Sequence, residues 1–337
     1  MKRALQNRAA ALICVALLCM NLLCGTASAA ALVAIELADI VDGAAPSVVE
    51  VFTETKQVSS WFQEYVTEGA GSGVVLTEDG YIVTNHHVIE GAGAIEVRLS
   101  SGQTYPAILT GTDEKTDLAV IKINASGLTA AKLADSSAAR AGDFVIAIGN
   151  PLGELGGTVT EGIISAKDRQ VTIDGQTMTL LQTSAAVNPG NSGGGLFNLD
   201  GELVGVVNAK SSGENLEGLA FAIPANTVKE ITRELIQHGY VTGRPQLGVS
   251  VTQITKPGTG RHPYGSLPGL YVIQSSAENG LKAGDRMIRI DDTTINTAAD
   301  LSTALERHSV GDTVDVTVSR GGRETTVPIK LTEQKPT

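Results

Sequence analysis

A serine lies among glycines in the stretch Asn188-Pro189-Gly190-Asn191-Ser192-Gly193-Gly194. Glycines on both sides let the chain turn tightly, so backbone N–H groups can converge on the point that the hydroxyl faces. Acyl transfer needs that convergence, because the oxyanion of a tetrahedral intermediate must meet donors already in place. A glycine-rich β-turn has the same composition, so this stretch alone does not establish chemistry. Two further segments supply what a serine nucleophile lacks. Tyr81-Ile-Val-Thr-Asn-His86-His87-Val88-Ile89 is a strand-like run ending in adjacent histidines, and Asp113-Glu114-Lys115-Thr116-Asp117 is an acidic turn entering the apolar run Leu118–Lys122. A hydroxyl is a weak nucleophile at its own pKa. An imidazole takes its proton, and a carboxylate fixes the imidazole's tautomer and stabilises its charged form. The chain order His…Asp…Ser is one of the known arrangements of these groups. His86 and His87 both qualify as the base, but adjacent strand residues point to opposite faces, so only one can address the serine.

The elements that must position these groups read as short strands. From Ser47 to Pro224 the pattern is one of brief apolar runs punctuated by Gly, Asn and Asp. Examples are Val48–Phe52, Gly73–Leu76, Tyr81–Thr84, Ile95–Leu99, Leu118–Ile123, Phe144–Ile148, Val159–Ser165, Leu203–Val207 and Leu219–Ile223. Many short β-rich runs separated by turn signals predict an all-β sandwich or a pair of barrels, not βαβ units. Ile35 to Val41 has helical spacing and ends near Asp42-Gly43. Thr227 to His238 reads as a helix, with Thr227 and Glu230 as a capping box and Gly239 as the stop. A linker follows at Val241–Pro245. Beyond it, Leu247–Val251, Leu270–Gln274, Met287–Ile290 and Val314–Val318 read as strands, and Ala298–Arg307 as a helix with Leu301, Ala304 and Leu305 on one face. Lys256–Pro268 is rich in Gly and Pro and reads as a flexible insertion. Gly69-Ala-Gly71-Ser-Gly73 reads as a turn. It leads into a strand, whereas phosphate-binding loops lead into a helix N-terminus.

Composition narrows the function classes. The chain has 337 residues, enough for two or three domains, and its 38 glycines with only 4% aromatics favour turns and short strands over helical bundles. Formal net charge is −11 with no basic block beyond the first residues, which argues against nucleic acid as a partner. All three cysteines, Cys14, Cys19 and Cys24, fall within the opening segment. There Lys2, Arg3 and Arg8 precede an apolar run from Ala9 to Leu23, followed by Ala27-Ser28-Ala29, the pattern of a secretory signal peptide. Cleavage after Ala29 would leave no cysteine, excluding disulfides, thiolate catalysis and cysteine-based zinc sites from the exported chain. An uncleaved anchor is the rival reading, although the apolar run is shorter than the ~20 residues that span a bilayer. His238 falls in the last turn of its helix, where the dipole favours a cation, and reads as structural; His262 and His308 are isolated, so neither a metal nor a cofactor is expected.

Several of these segments together resemble one family. Thr84-Asn-His-His-Val88, Asp117-Leu-Ala-Val-Ile-Lys122, Gly149-Asn-Pro-Leu-Gly153, the serine stretch at 188–194 and Gly218-Leu-Ala-Phe-Ala-Ile-Pro224 are similar, in order, to HtrA/DegP-type (Do-like) serine proteases. The resemblance covers about residues 45 to 332. It implies a mainly β architecture: a chymotrypsin-like double β-barrel at 45–240, followed by an α+β PDZ domain at 241–333, after a signal peptide at 1–29 and an N-terminal segment at 30–44. It also implies roles: Ser192 as nucleophile, His87 as base and Asp117 as its orienter, with Asp113 and Glu114 left as a solvated turn. Oxyanion donors would be the amides of Gly190 and Ser192, with Asn191 as a further candidate. The residue at the base of the primary pocket would be Ala186, faced by Gly218, Leu219, Ala220 and Phe221. No charge is available there to pair with Arg or Lys, so cleavage after small or medium apolar residues is expected.

The same resemblance implies that Gln246, Leu247, Gly248 and Val249 form a loop receiving the C-terminus of a peptide that adds as a strand. Asn279-Gly280-Leu281-Lys-Ala-Gly284-Asp285 is similar to the glycine-bearing turn such domains carry. One departure stands out: Thr183-Ser184-Ala185 replaces a Thr-Asp-Ala common in the family, which removes an acid from any activating contact made there. Trp61, Phe62 and Tyr65 belong to a short loop that fits a simple trimer better than a large cage. The implied activity is ATP-independent endoproteolysis of misfolded or damaged protein in the periplasm, cell envelope or extracellular space, by a homotrimer. The membrane would be a partner only if the N-terminal segment stays uncleaved. The alternative is a chaperone or PDZ-based peptide-binding protein whose protease domain is silent.

Overall fold

The computed structural model describes residues 37–58, 64–149, 158–173, 176–188, 190–209, 219–255, 267–276 and 279–335. The signal-like segment, Trp61 and Phe62, and most of the 256–268 insertion lie outside that set. The architecture is the expected one, two barrels followed by an α+β unit. The first barrel closes β1 (Val48–Val58), β2 (Glu64–Val75), β3 (Tyr81–Thr84), β4 (Ala94–Arg98), β5 (Thr104–Asp113) and β6 (Leu118–Ile123) in the order β1-β2-β3-β6-β5-β4. The second closes β7 (Phe144–Gly149), β8 (Thr158–Ile173), β9 (Gln176–Thr183), β10 (Gly195–Phe197), β11 (Leu203–Asn208) and β12 (Ala220–Pro224) in the order β10-β11-β12-β9-β8-β7. Helix α1 covers residues 37–44, α2 is a single turn at His86–Ile89, and α3 spans Ala225–His238.

Strands β6 and β7 are buried on two faces along most of their length, which explains why they read as apolar runs. Along β6, Ala119, Ile121 and Ile123 fill the first barrel, while Leu118 and Val120 face a shared core. Along β7, Val145 and Ala147 fill the second barrel, and Ile146 and Ile148 turn to that same shared core. Val228, Ile231 and Leu235 of α3 complete it, so the helix fastens one barrel to the other. Each such large side chain taken from water is worth about 1.5–3 kcal/mol. The seam between the barrels is therefore a packed interior, not a loose junction, and the functional groups sit at its rim.

Several local expectations change. Gly69, Gly71 and Gly73 are not a turn but part of β2, paired with Thr53, Val51 and Val49 of β1. The glycines are there for close approach: a Cβ at Gly71 would lie 2.7 Å from a Val88 methyl, and one at Gly73 2.7 Å from a methyl of Ile82. Helix α3 begins at Ala225, two residues before the capping box read at Thr227, and its N-cap Pro224 supplies no side-chain bond. Its end is as read, with Gly239 in the left-handed region at φ 81° and its N–H bonded to Leu235.

The C-terminal unit carries a five-strand path β14 (Val249–Ile254), β15 (Gly269–Ser275), β16 (Arg286–Ile290), β18 (Thr313–Arg320) and β19 (Arg323–Lys330), with β17 (Thr293–Thr294) beside β16. A separate two-stranded pair joins β13 (Pro245–Gln246) to β20 (Thr332–Glu333). Helix α4 (Ala298–Leu305) starts in a full capping box between Thr297 and Asp300. The linker is tied down. Arg244 makes a forked ion pair with Asp113 of the first barrel, its Nη2 lying 2.8 Å from Oδ2. Lys115 reaches Glu306, just past α4, at 2.5 Å. Asp113 is thus buried and paired, in contrast to the solvated turn expected from sequence; its partner arrives from 131 residues away. Glu114 remains exposed.

Candidate active site

Asp117 organises the first-barrel half of the site. It lies between the turn after β5 and the start of β6, with a left-handed backbone at φ 54°. A short polar side chain tolerates that conformation better than most. Three bonds hold it there: its carbonyl accepts from the His86 N–H at 3.1 Å and from Asn85 Nδ2 at 3.0 Å, and its N–H donates to Glu114 at 3.2 Å. Its carboxylate then serves the one-turn helix α2. Oδ1 accepts the His87 backbone N–H at 3.0 Å, one of the amides that a helix start leaves without a partner. Oδ2 accepts from His87 Nδ1 at 2.7 Å. Two bonds from one residue fix both the helix and the ring.

The opposite ring nitrogen faces the second barrel. His87 Nε2 lies 3.0 Å from Ser192 Oγ, so with Nδ1–H donating to Asp117 the network leaves Nε2 as acceptor of the serine proton. His86 is directed elsewhere, its Nδ1 2.7 Å from Thr112 Oγ1. The adjacent histidines do separate, but on the one-turn helix α2 and not on the strand end expected from the sequence, and His87 is the one brought to Ser192.

The serine turn is held from both barrels. The Gly193 N–H donates to the Val207 carbonyl at 3.0 Å and the Val207 N–H to the Gly194 carbonyl at 2.8 Å. From β2, the Ser72 N–H donates to the Ser192 carbonyl at 2.8 Å, and Ser72 Oγ to the Gly190 carbonyl at 2.7 Å. Gly193 has φ 83°, and a Cβ there would collide with the Ser72 carbonyl and Thr84 Oγ1. That close approach is why the position takes glycine. The amide of Asn191 donates to the Asn188 carbonyl at 3.0 Å, so it is already engaged and does not fit the donor role expected of it. Among the described residues the amides of Gly190 and Ser192 have no acceptor.

The remaining sequence-predicted positions divide. Ala186 is exposed, its carbonyl accepting from Thr160 Oγ1 at 2.7 Å. Leu219 is half-buried and Ala220 buried, while Phe221 turns into the core shared by the barrels and Gly218 lies outside the described residues. Ser184, which stands where the family commonly has an acid, accepts the Ile163 N–H at 3.1 Å. In the C-terminal unit, Gln246 pairs with Thr332, Leu247 is buried, Gly248 has φ 67°, and Val249 opens β14. Asn279 Nδ2 donates to the Leu247 carbonyl at 2.9 Å and the Gly248 carbonyl at 3.3 Å.

Three residues that sequence reasoning did not single out join the site. Asn208 donates to Asp117 Oδ2, Asn85 to the Asp117 carbonyl, and Ser72 to the serine turn. A polar side chain ending the apolar run Leu203–Val207 was the only signal for Asn208. Among the described residues there is no His, Cys, Asp and Glu cluster suited to a metal, and no helix long and apolar enough to cross a membrane.

Comparison with known proteins gives a consistent set. Residues 71–206 match the trypsin-like peptidase domain family, and residues 245–331 match the PDZ domain family. The chain is 43% identical over 285 residues to the serine protease Do-like HtrA of Lactobacillus helveticus, covering 79% of this chain and 69% of that protein. It is 40% identical over 331 residues to the protein of the same name from Bacillus subtilis, covering 89% and 73%. The periplasmic serine endoprotease DegP of Escherichia coli is 40% identical over 270 residues, spanning 77% of this chain and 56% of DegP. Among solved structures, the HtrA-type protease AlgW with decapeptide superimposes with a TM-score of 0.61 at 33% identity, covering 89% of this chain and 99% of that one. A serine endoprotease from Yersinia pestis gives 0.59 at 34%, covering 88% and 97%.

Proposed function

Because the chain belongs to the Do-like HtrA family of serine proteases, a serine endopeptidase with a PDZ domain, we propose that its reaction runs on Ser192, His87 and Asp117. The observation that carries this reading is the position of one imidazole, 2.7 Å from a buried carboxylate and 3.0 Å from the serine hydroxyl. His87 Nε2 takes the proton as Ser192 Oγ attacks the scissile carbonyl, and Asp117 stabilises the imidazolium that forms. The amides of Gly190 and Ser192 receive the oxyanion. The imidazolium then returns its proton to the leaving amine, and water repeats the sequence on the acyl-enzyme. Ala186, Leu219 and Ala220 offer no charge to a primary side chain, which favours small or medium apolar residues. Unfolded chains expose such residues and folded ones hide them, so selectivity for misfolded or damaged protein follows without ATP.

The opening basic and apolar segment supports export, and with it action in the periplasm, cell envelope or extracellular space. The E. coli relative is described as periplasmic. We read residues 45–240 as the protease domain and 241–333 as the PDZ domain, with Gln246–Val249 receiving the C-terminus of a peptide. The Asn279 bonds support that role, because they fix the Leu247 and Gly248 carbonyls, and each trans peptide plane directs the N–H of the following residue, Gly248 or Val249, the opposite way. A homotrimer is the assembly that the family resemblance implies. Replacing Ser192 with Ala tests the reaction. Cleavage of an unfolded casein-type substrate should fall by roughly 10⁴-fold or more, and fluorophosphonate labelling of the full chain should vanish. Retained cleavage by the variant overturns the mechanism.

A further inference from the structure

Resting on that reading of Ser192, His87 and Asp117, we infer that Asn208 is a positioning residue for the reaction. Its side-chain amide holds the Asp117 carboxylate in the orientation that His87 requires. In doing so it registers the second barrel, which carries the nucleophile, against the first, which carries the base.

Three successive residues at the end of β11 touch three parts of the site. Val207 exchanges main-chain bonds with Gly193 and Gly194 on the nucleophile turn, at 3.0 and 2.8 Å. Ala209 donates its N–H to Ser192 Oγ at 3.2 Å. Between them Asn208, fully buried, reaches across the seam and donates from Nδ2 to Asp117 Oδ2 at 2.9 Å. That is the oxygen that also accepts from His87 Nδ1. The carboxylate therefore receives three donors, two from His87 itself and one from the barrel bearing Ser192. Any shift of one barrel against the other would strain the Asn208 bond together with the Ser72 bonds to the serine turn.

The residue type fits this task. A neutral N–H donor fixes the carboxylate oxygen without adding a charge that competes with His87 for it. An acid at 208 would set a second negative carboxylate at hydrogen-bond distance, repelling Asp117 in place of donating to it. A lysine would cancel the charge that Asp117 offers to His87. An apolar residue would leave Asp117 held by the first barrel alone. The Oδ1 of Asn208 is buried without a partner among the described residues, a feature that costs roughly 1–3 kcal/mol and that packing alone would select against.

The test uses the full chain with Asn208→Asp and Asn208→Leu beside wild type and Ser192→Ala. A peptide that wild type cleaves is followed from about pH 5 to about pH 9, the range in which an imidazole titrates. Thermal unfolding and the low-field proton NMR signal of the His87–Asp117 bond are recorded alongside. Both variants should keep KM and lose kcat by roughly 10- to 100-fold, the scale at which lost supporting contacts act. In Asn208→Asp the acid limb should also move to higher pH by about one unit, because a second carboxylate favours the imidazolium. The low-field signal should shift in both. Folded variants with wild-type kcat, acid limb and proton signal overturn the inference. If Asn208→Leu fails to fold, Asn208→Asp, which keeps the shape, decides alone. If neither folds, Asn208 is a folding residue and the inference is withdrawn. A wild-type chain that neither cleaves nor labels defeats the underlying mechanism instead, a separable result.

Discussion

Two parts of this molecule are suited to meeting another polypeptide, and they are built in opposite ways. At the seam between the barrels, Asp117 is held by six hydrogen bonds through its carboxylate, carbonyl and N–H, and the nucleophile turn is bonded to β2 and β11 alike. At the C-terminal unit, β14 pairs with β15 on one side and, among the described residues, with no strand on the other. Reaction needs groups that do not move when charge develops, so the seam spends its polar atoms internally. Recruitment of an extended peptide needs main-chain donors and acceptors left over, so an edge strand is an asset there instead of a liability. The rigid site is divided between two barrels; the receptive edge belongs to one small sheet.

The largest expected effect comes from breaking the seam's geometry without touching a reacting group. In Gly193→Ala the new methyl group meets the Ser72 carbonyl and Thr84 Oγ1, and the backbone is held at φ 83°. The neighbours are main chain or buried, so the nucleophile turn itself must move. A displacement of about 1 Å can cost on the order of 100-fold in rate, and loss of an oxyanion donor 100- to 1000-fold. kcat should fall by roughly that amount, while binding of a C-terminal peptide to the PDZ domain stays at the wild-type level. Equal loss of both would show that the two regions are not independently built.

A middle-sized effect lies where the regions touch. Arg244→Ala leaves Asp113 buried with Thr116 as its remaining partner, through Oγ1 at 2.5 Å and N–H at 3.2 Å. Removing one member of such a pair should cost about 1–3 kcal/mol, less than for a fully buried pair because the arginine is partly exposed. Thermal unfolding of the full chain reads that loss, and protease nicking at 241–244 should accelerate. Unchanged values for both would mean that the linker is held elsewhere, with the Lys115–Glu306 pair as the next contact to remove.

What could be read in the sequence follows the same division. Strands β3 and β6 have the limits read for them, because each is a mostly apolar run met by a polar residue, Asn85 after β3 and Asp117 before β6. Strands β5, β9 and β10 were not singled out. Pro106 and Gly111 interrupt β5, Thr and Gln alternate with the apolar residues of β9, and β10 is three residues that look like the tail of the serine turn. The glycines of β2 read as a turn because their local preference is for one; only the approach of Val88 and Ile82 in three dimensions makes them necessary in a strand. The nucleophile stretch and its histidine were legible because their chemistry is concentrated in a few consecutive residues. Asn208 and Arg244 were not, since each acts on a residue about ninety or more positions away and neither lies in a recognisable local pattern.

The smallest effect isolates the C-terminal unit through its own buried acid. Burial alone would raise the Asp285 carboxyl, but the Arg320 guanidinium and the Lys282 N–H outweigh it, leaving the group below its ordinary value. A carboxyl depressed on folding stabilises the fold fully above its unfolded value of about 3.9, and that contribution is lost as pH falls through the folded value. Asp300, in the capping box of α4, is depressed in the same direction: burial opposes, and the amides of Asn296 and Thr297 prevail. Arg320 also donates to the Gly280 carbonyl, and the turn it secures includes Asn279, which holds the Leu247 and Gly248 carbonyls. Acid should therefore loosen the peptide-receiving loop from within. Hydrogen exchange on the full chain, compared at about pH 5 and about pH 3.5 after correction for intrinsic rates, should show protection falling at Lys282 and Gly284, on the order of 1 kcal/mol. Replacing Arg320 with Ala should remove most of that pH dependence, because Asp285 would no longer be held ionised by its main charged partner. An acid sensitivity that survives the replacement unchanged would assign it to Asp300 and the start of α4 instead.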